Sequence, residues 1–490
     1  MASTHSALPL PLPDYERLDA TALADLIRKG ALHPGEVLEA AIARLERARP
    51  LNAIAMTHFE MARAEAARLG ERSAAQRRAD APQAPLCGVP FLLKDLGLAL
   101  EGTVTTQGCA FFKDAVADHD STLVQRYRTA GLNIFGKTTS PEFGQTATTE
   151  SRLFGLTRNP WNHEISAGGS SGGAAVAVAS GIVPVAHASD GGGSIRIPAS
   201  HCGVFGLKPS RGRVPMGPKI QEGWMGLTSQ NVISRTVRDS ALLLQLSQGP
   251  EAGSRACPPE HDVLQAIAQP PRALRIALML NNPFGMPVHP DCLAATQFAA
   301  ACCAALGHKV DVAQPTLAVG DLFQGMGVAT ATGMLSSVRA REAALGRAAR
   351  EDEFEPLNWR SLQLAQGYKA EQVFQARQAF DSAGRTLDLF FEEFDVILSP
   401  VTAAPAPALG AMSLDQPYES FVQSAMMASP FTALFNMSGH PAMAVPMHWN
   451  AAGMPFGAHF AGGYGQEALL LALAAQLEAA HPWAHRRPPV

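Results

Sequence analysis

The sequence predicts an α/β fold, and three observations point to it. Stretches with apolar residues at helical spacing alternate with short apolar runs bounded by Gly or Pro, the pattern of helices and strands taken in turn. Forty-three glycines and 36 prolines in 490 residues supply many turns and argue against a coiled or repeat architecture. A hydrophobic share of 47% is ample for a large core.

The elements follow in order. Residues 19–50 read as helical: Asp19 or Thr21 caps a first turn, and LEAAIARLERARP keeps helical spacing to Pro50. Residues 54–77, rich in Ala, Arg and Glu, read as a second long helix. Leu86–Leu93 is an apolar run broken by Gly88 and Pro90, a short strand entering a loop and closed by Lys94 and Asp95. VTTQGCAFF is turn-rich, and STLVQRYRTAGLNIFGKTTSPEFG reads as a helix, a turn at Gly131 and a short strand. AAVAVAS reads as a buried helix, since small side chains permit close packing on a sheet, with Ile182–Ala186 as a strand. TVRDSALLLQLSQ is a helix, PPRALRIALML a strand, and HPDCLAATQFAAACCAALGHKVDVAQP a helix followed by a strand. Residues 315–390 are mostly helical, DVILSPVTAAPAP is a strand ending at prolines, FTALFNMSGHPAMAVPM is helix, turn and strand, and GYGQEALLLALAAQLEAAHP is a last helix. No internal repeat or low-complexity linker divides the chain.

Charge and composition exclude several classes of function. Forty-three acidic residues face 39 basic ones, for a formal charge of -4, so no general nucleic-acid surface is expected. No apolar run reaches membrane-spanning length. The N-terminal MASTHSALPLPLPDYERLDA lacks a basic region followed by an apolar one, so no secretory leader is expected. Seven scattered cysteines (87, 109, 202, 257, 292, 302, 303) form no CxxC pair, which suits a reducing, cytoplasmic setting and suggests no metal.

Three stretches carry chemistry. AGGSSGGAA at 167–175 contains GxSxG twice, centred on Ser170 and Ser171. That pattern belongs to a nucleophile elbow if a strand precedes it directly, but WNHEIS is polar and turn-like; the plain alternative is a tight turn with capping serines. DGGGS at 190–194 places Gly191, Gly192 and Gly193 before Ser194. Successive N–H groups in such a turn form a nest for an anion, including a developing oxyanion; the alternative is a turn at a sheet edge. Lys94 ends an apolar run. Exposed, it is a surface charge; buried among hydroxyls, it becomes a base able to take a serine proton.

These pieces coincide in one family. The chain resembles the amidase signature family of serine amidohydrolases: Gly88-Val89-Pro90 with Lys94-Asp95, Gly168 to Gly173 as GGSSGG, and Gly192 to Pro198 as GGSIRIP. The likeness continues through GVFGLKPSRGRVP, SRTVRD, SPVTAAPAP and the stretch from Gly462 to Glu467, from about residue 20 to 485. It implies a large mixed twisted β-sheet flanked by helices on both faces, in one domain over 1–490. N-terminal helices would lie at 19–77, the signature core at about 82–240, a variable, largely helical region at about 241–390, and a core return at 391–490.

The resemblance also implies roles. Ser194 is the nucleophile, Ser170 the relay behind a cis peptide to Gly169, and Lys94 the base. Gly191, Gly192 and Gly193 supply oxyanion N–H groups, and Ser171 supports the site by hydrogen bonding. Arg196 is expected to pin the loop or to touch the edge of the site. The family often has a hydrophobic residue or threonine where this chain has Gly191. His163, His187 and His201 are expected to be structural or exposed, since the mechanism needs neither histidine nor metal, and no cofactor is expected. The reaction implied is cleavage of an amide to carboxylate and amine or ammonia. The substrate is a small-molecule amide, with linear or cyclic nylon-type oligomers one suggestion, and its binding residues are not assigned. Apolar residues Phe323, Met326, Met334, Met426, Met427, Phe431 and Phe435 could line an acyl pocket or pack a core. A homodimer is left open. Rival readings are the glutaminase subunit of a tRNA-dependent amidotransferase, an esterase of the α/β-hydrolase type, and a scaffold with idle catalytic residues.

Overall fold

The computed structural model describes residues 12–254 and 257–489. The reading of the first eleven residues as lacking a leader lies outside them. Eight strands form a large mixed twisted sheet in the order 309–312, 275–278, 396–400, 455–462, 442–449, 205–208, 229–234 and 185–190. The strands at 309–312 and 396–400 run parallel to Arg275–Leu278 between them, and the remaining pairs are antiparallel. Helices flank this sheet. A second sheet of three strands has Asn133–Thr138 at its centre, antiparallel to Ile54–Thr57 and parallel to Pro90–Lys94.

The two sheets meet edge to edge, Pro90–Lys94 beside Val185–Asp190. A side chain makes the join: the Lys94 N–H donates to His187 Nδ1 at 3.1 Å, and His187 Nε2 lies 2.9 Å from Gln230 Oε1. Burial pushes the His187 imidazole down to about 3. It therefore stays neutral, with its proton on Nε2 facing the Gln230 carbonyl.

Local sequence explains most elements. Asp19, not Thr21, caps the helix Ala20–Lys29, accepting the Ala22 N–H at 2.9 Å. Pro34 opens the next helix, Pro34–Arg47. GGAAVAVA forms the helix Gly172–Ala179, buried along its whole length between the strand Val185–Asp190 and the helix Arg196–Cys202. Only small side chains allow three elements to approach that closely. The 315–390 region folds as the helices Val319–Leu345, Pro356–Ala365 and Ala370–Glu393.

Two expectations are corrected. Residues 54–77 are not one helix but the strand Ile54–Thr57 followed by helices Phe59–Gly70 and Ala74–Asp80. Pairing with the central strand overrides the local helical preference. The strand placed at Ile182–Ala186 begins at Val185, after Pro184, which has no N–H to give a ladder, and runs to Asp190. That shift of three residues puts Ser189 and Asp190 at the strand end, next to the glycines.

The last helix, Glu467–Ala480, is tied to the core by a buried ion pair. Glu467 Oε2 lies 2.7 Å from Arg213 Nη2, and its other oxygen accepts the Ser210 N–H at 2.7 Å. Arg213→Met is expected to cost about 3–5 kcal/mol, because it strands a buried carboxylate. Urea unfolding measures this, and adding Glu467→Leu should restore most of the loss, since the stranded charge is then gone.

Candidate active site

Lys94 ends its strand fully buried at the junction of the sheets. Its Nζ lies 2.7 Å from Ser170 Oγ, 2.9 Å from Ser171 Oγ and 3.0 Å from Ser189 Oγ. All three side-chain partners are hydroxyls. Burial, opposed by the charge of Asp190, lowers the amine to about 7. Burial prevails because the Asp190 charge is already held by Arg196, at 2.9 Å.

One of the protons around Nζ can be placed. Ser171 Oγ donates to the Ser189 carbonyl at 3.0 Å, so towards Lys94 it accepts. A neutral amine has two N–H bonds and one lone pair. Donating to Ser171 leaves one N–H and the lone pair to be shared between Ser170, at 2.7 Å, and Ser189, at 3.0 Å.

Ser194 is half-buried and borders two cavities. One, of about 250 Å³, is also lined by Ser170, Ser189 and Gly191. The other, of about 460 Å³, is lined by Gly169, Gly192, Phe323, Met326 and Met426 among others. The peptide bond between Gly169 and Ser170 is cis. The Ser171 N–H donates to the Ser194 carbonyl at 3.2 Å, joining the two serine segments.

The three glycines serve different ends. Gly193 has φ +131°, and an added methyl would stand 2.4 Å from Thr432 Oγ1. Its N–H donates to Asp190 Oδ1 at 2.7 Å, so it is not available to an oxyanion, which corrects its expected role. The N–H groups of Gly191, Gly192 and Ser194 have no acceptor among the described residues. Gly191 gives room to Trp224: a methyl there would stand 2.6 Å from the indole.

Asp190 shapes the loop through its carboxylate, and its carbonyl accepts Asn436 Nδ2 at 3.0 Å. Besides Gly193 the carboxylate accepts the Ile195 N–H at 3.0 Å, Arg196 Nε at 3.0 Å and Asn436 Nδ2 at 2.8 Å. The Arg196 guanidinium beside it holds this fully buried carboxyl well below the usual range. Arg196 reaches on to the Thr432 carbonyl and His459 Nε2, so the loop is pinned to distant elements.

Other expectations sort cleanly. His163 is exposed, and His201 is buried, its imidazole nitrogens with no hydrogen-bond partner among the described residues. Of the seven apolar candidates, Phe323, Met326 and Met426 line the larger cavity and Met334 the smaller. Met427, Phe431 and Phe435 pack in a hydrophobic cluster instead. Sequence reasoning missed Ser189, although strand alternation from His187 places both on one face. It also missed Asn436, on the helix Ala433–Met437, and Trp224, since neither lies in a motif. No cluster of metal-ligating residues occurs among the described residues, and none of their helices is long and apolar enough to cross a membrane.

Comparison with known proteins agrees on this architecture. Residues 36–471 match the amidase family. The 6-aminohexanoate-cyclic-dimer hydrolase of Paenarthrobacter ureafaciens is 37% identical over 96% of both chains. A solved structure of 6-aminohexanoate cyclic dimer hydrolase superposes with TM-score 0.89 at 36% identity, covering 97% of this chain and 99% of that one. A bacterial aryl acylamidase of the amidase signature family superposes with TM-score 0.86 at 29% identity, covering 95% and 97%.

Gly193→Ala is expected to destabilise the protein by about 1–3 kcal/mol from its backbone conformation alone. The clash with Thr432 adds to this. An unchanged denaturation midpoint would show that the loop yields instead.

Proposed function

We propose a serine-based mechanism of amide hydrolysis for this chain, which belongs to the amidase signature family. Enzymatic hydrolysis of carbon–nitrogen amide bonds comes with that membership. The observation that supports the finer reading is the buried Lys94 amine, lowered to about 7 and 2.7 Å from Ser170 Oγ, beside a cavity shared with Ser194.

In this reading Ser194 Oγ attacks the amide carbon. Its proton passes to Ser170 as the Ser170 proton passes to the lone pair of Lys94. The carbonyl oxygen becomes an oxyanion facing the N–H groups of Gly191, Gly192 and Ser194. Each such donor is worth roughly 2.7–4 kcal/mol in comparable sites. The C–N bond then breaks, and the nitrogen takes back a proton from Lys94 through Ser170. Water enters, gives a proton to the same relay and attacks the ester. The relayed proton returns to Ser194 Oγ, and the acid product leaves as carboxylate after giving the water's second proton to solvent. Ser171 and Ser189 hold Nζ in place. The substrate class is a small aliphatic or aryl amide. Linear or cyclic oligoamides stand among the candidates because of the likeness to the cyclic-dimer hydrolase.

A panel of aryl, aliphatic and oligomeric amides tests this reading. Ser194→Ala and Lys94→Ala are each expected to lower kcat/KM by on the order of 10⁴-fold or more, with the fold retained. Near-normal turnover by either variant would remove its residue from the mechanism. The pH dependence has a definite sign. The base works as the neutral amine, so kcat/KM should be flat above about 7, the level to which Lys94 is lowered. Below that it should fall by about tenfold per pH unit. A profile flat down to pH 5 would exclude Lys94 as the base.

A further inference from the structure

We infer that the two cavities meeting at Ser194 are the two halves of one substrate site. The acyl half lies in the larger, the amine half in the smaller, and the Trp224 indole is the wall that keeps them apart. This rests on the acyl-enzyme reading above.

Direction follows from the proton. When the C–N bond breaks, the nitrogen must be protonated, and in that mechanism the proton arrives through Ser170 Oγ. Ser170 lines the smaller cavity and not the larger. The nitrogen and its substituent therefore lie on that side, and the acyl chain extends from Ser194 the other way.

The linings agree. Among the described residues no acidic or basic side chain borders the larger cavity; Phe284, Phe323, Met326, Phe421 and Met426 do, with the Phe284 and Phe323 rings 4.6 Å apart. Such a surface takes an uncharged aliphatic or aromatic acyl group. Among the described residues the smaller cavity has one charged lining residue, the half-exposed Glu222. Its nearest cation, Arg377, stands 3.5 Å away and is closer to Asp381, at 3.1 Å. This side suits an amine half that is polar or carries a second ammonium.

Among the described residues, Trp224 and Ser194 are the two that border both cavities. The indole is wedged between two glycines: a methyl on Gly191 would stand 2.6 Å from it and one on Gly333 2.5 Å. Its own backbone is left-handed, with φ 51°, as is that of Met225, with φ 55°, an unusual pair for side-chain-bearing residues. The position of this wall is thus set from both sides and from beneath.

Two series of amides test the assignment. One varies the acyl group from acetyl to decanoyl on a fixed aryl amine. The other holds butyryl fixed and varies the amine among n-propylamine, benzylamine and 1,3-diaminopropane. Phe421→Lys, on a half-exposed helix, should lower the decanoyl-to-acetyl ratio of kcat/KM by about tenfold or more and leave the amine series in its order. Glu222→Gln should lower the diamine-to-propylamine ratio by about three- to fivefold at low salt, and leave the acyl series in its order. Trp224→Ala should raise the benzyl-to-propyl ratio, with Trp224→Phe intermediate. Crossed effects, Glu222→Gln moving the acyl series or Phe421→Lys the amine series, would overturn the assignment. So would variants that move neither. Failure of the underlying mechanism looks different: the wild type cleaves none of these amides, or Ser194→Ala cleaves them as well as the wild type does.

Discussion

Everything in the site depends on keeping one amine buried without a carboxylate against it. Lys94 sits where the edges of two sheets meet, and its Nζ touches three serine hydroxyls. A carboxylate in contact would have raised the amine and locked it as an ammonium. The acid whose charge acts on it, Asp190, is engaged by Arg196 and Asn436 instead. His187, which receives the Lys94 backbone N–H, is itself neutral and adds no opposing charge. The sheet junction, the glycine loop and the serine-rich helix start all converge on this arrangement.

The loop before Ser194 follows the same economy. Asp190 ends a strand and then takes up two of the following N–H groups, those of Gly193 and Ile195, fixing the turn from inside. That leaves the N–H groups of Gly191, Gly192 and Ser194 without an acceptor among the described residues. Three consecutive glycines therefore have distinct physical causes. Gly193 must adopt a positive φ against Thr432. Gly192 lies under Met326, and Gly191 under Trp224. The residue at which this chain departs from the usual family pattern, Gly191, is the one that makes room for the wall between the two cavities.

Much of the fold was legible because its determinants are local. The Asp19 cap, the turn at Gly131, the all-small helix at 172–179 and the long helices between 319 and 393 follow from residue type and spacing. The exceptions lie where pairing partners are distant. Ile54–Thr57 is a strand because Asn133–Thr138 offers it an edge, which no window around residue 54 reveals. Within the site, Lys94, Ser170 and Ser194 were marked by motifs. Ser189 was readable from strand alternation only once the strand end had moved to Asp190.

The sequence by itself determined the kind of chemistry. A lysine closing an apolar run, paired serines among glycines, and a serine after a glycine turn carry the likeness to the amidase signature family, and they are set by residue type. Tertiary structure decided what each part is able to do. Whether Lys94 is a surface charge or a lowered base depends on burial by elements up to a hundred residues away. Whether Gly193 offers its N–H outward depends on where the Asp190 carboxylate turns. Burial and hydrogen-bond partners are properties of contacts between distant segments, so they exist only once the chain has closed on itself.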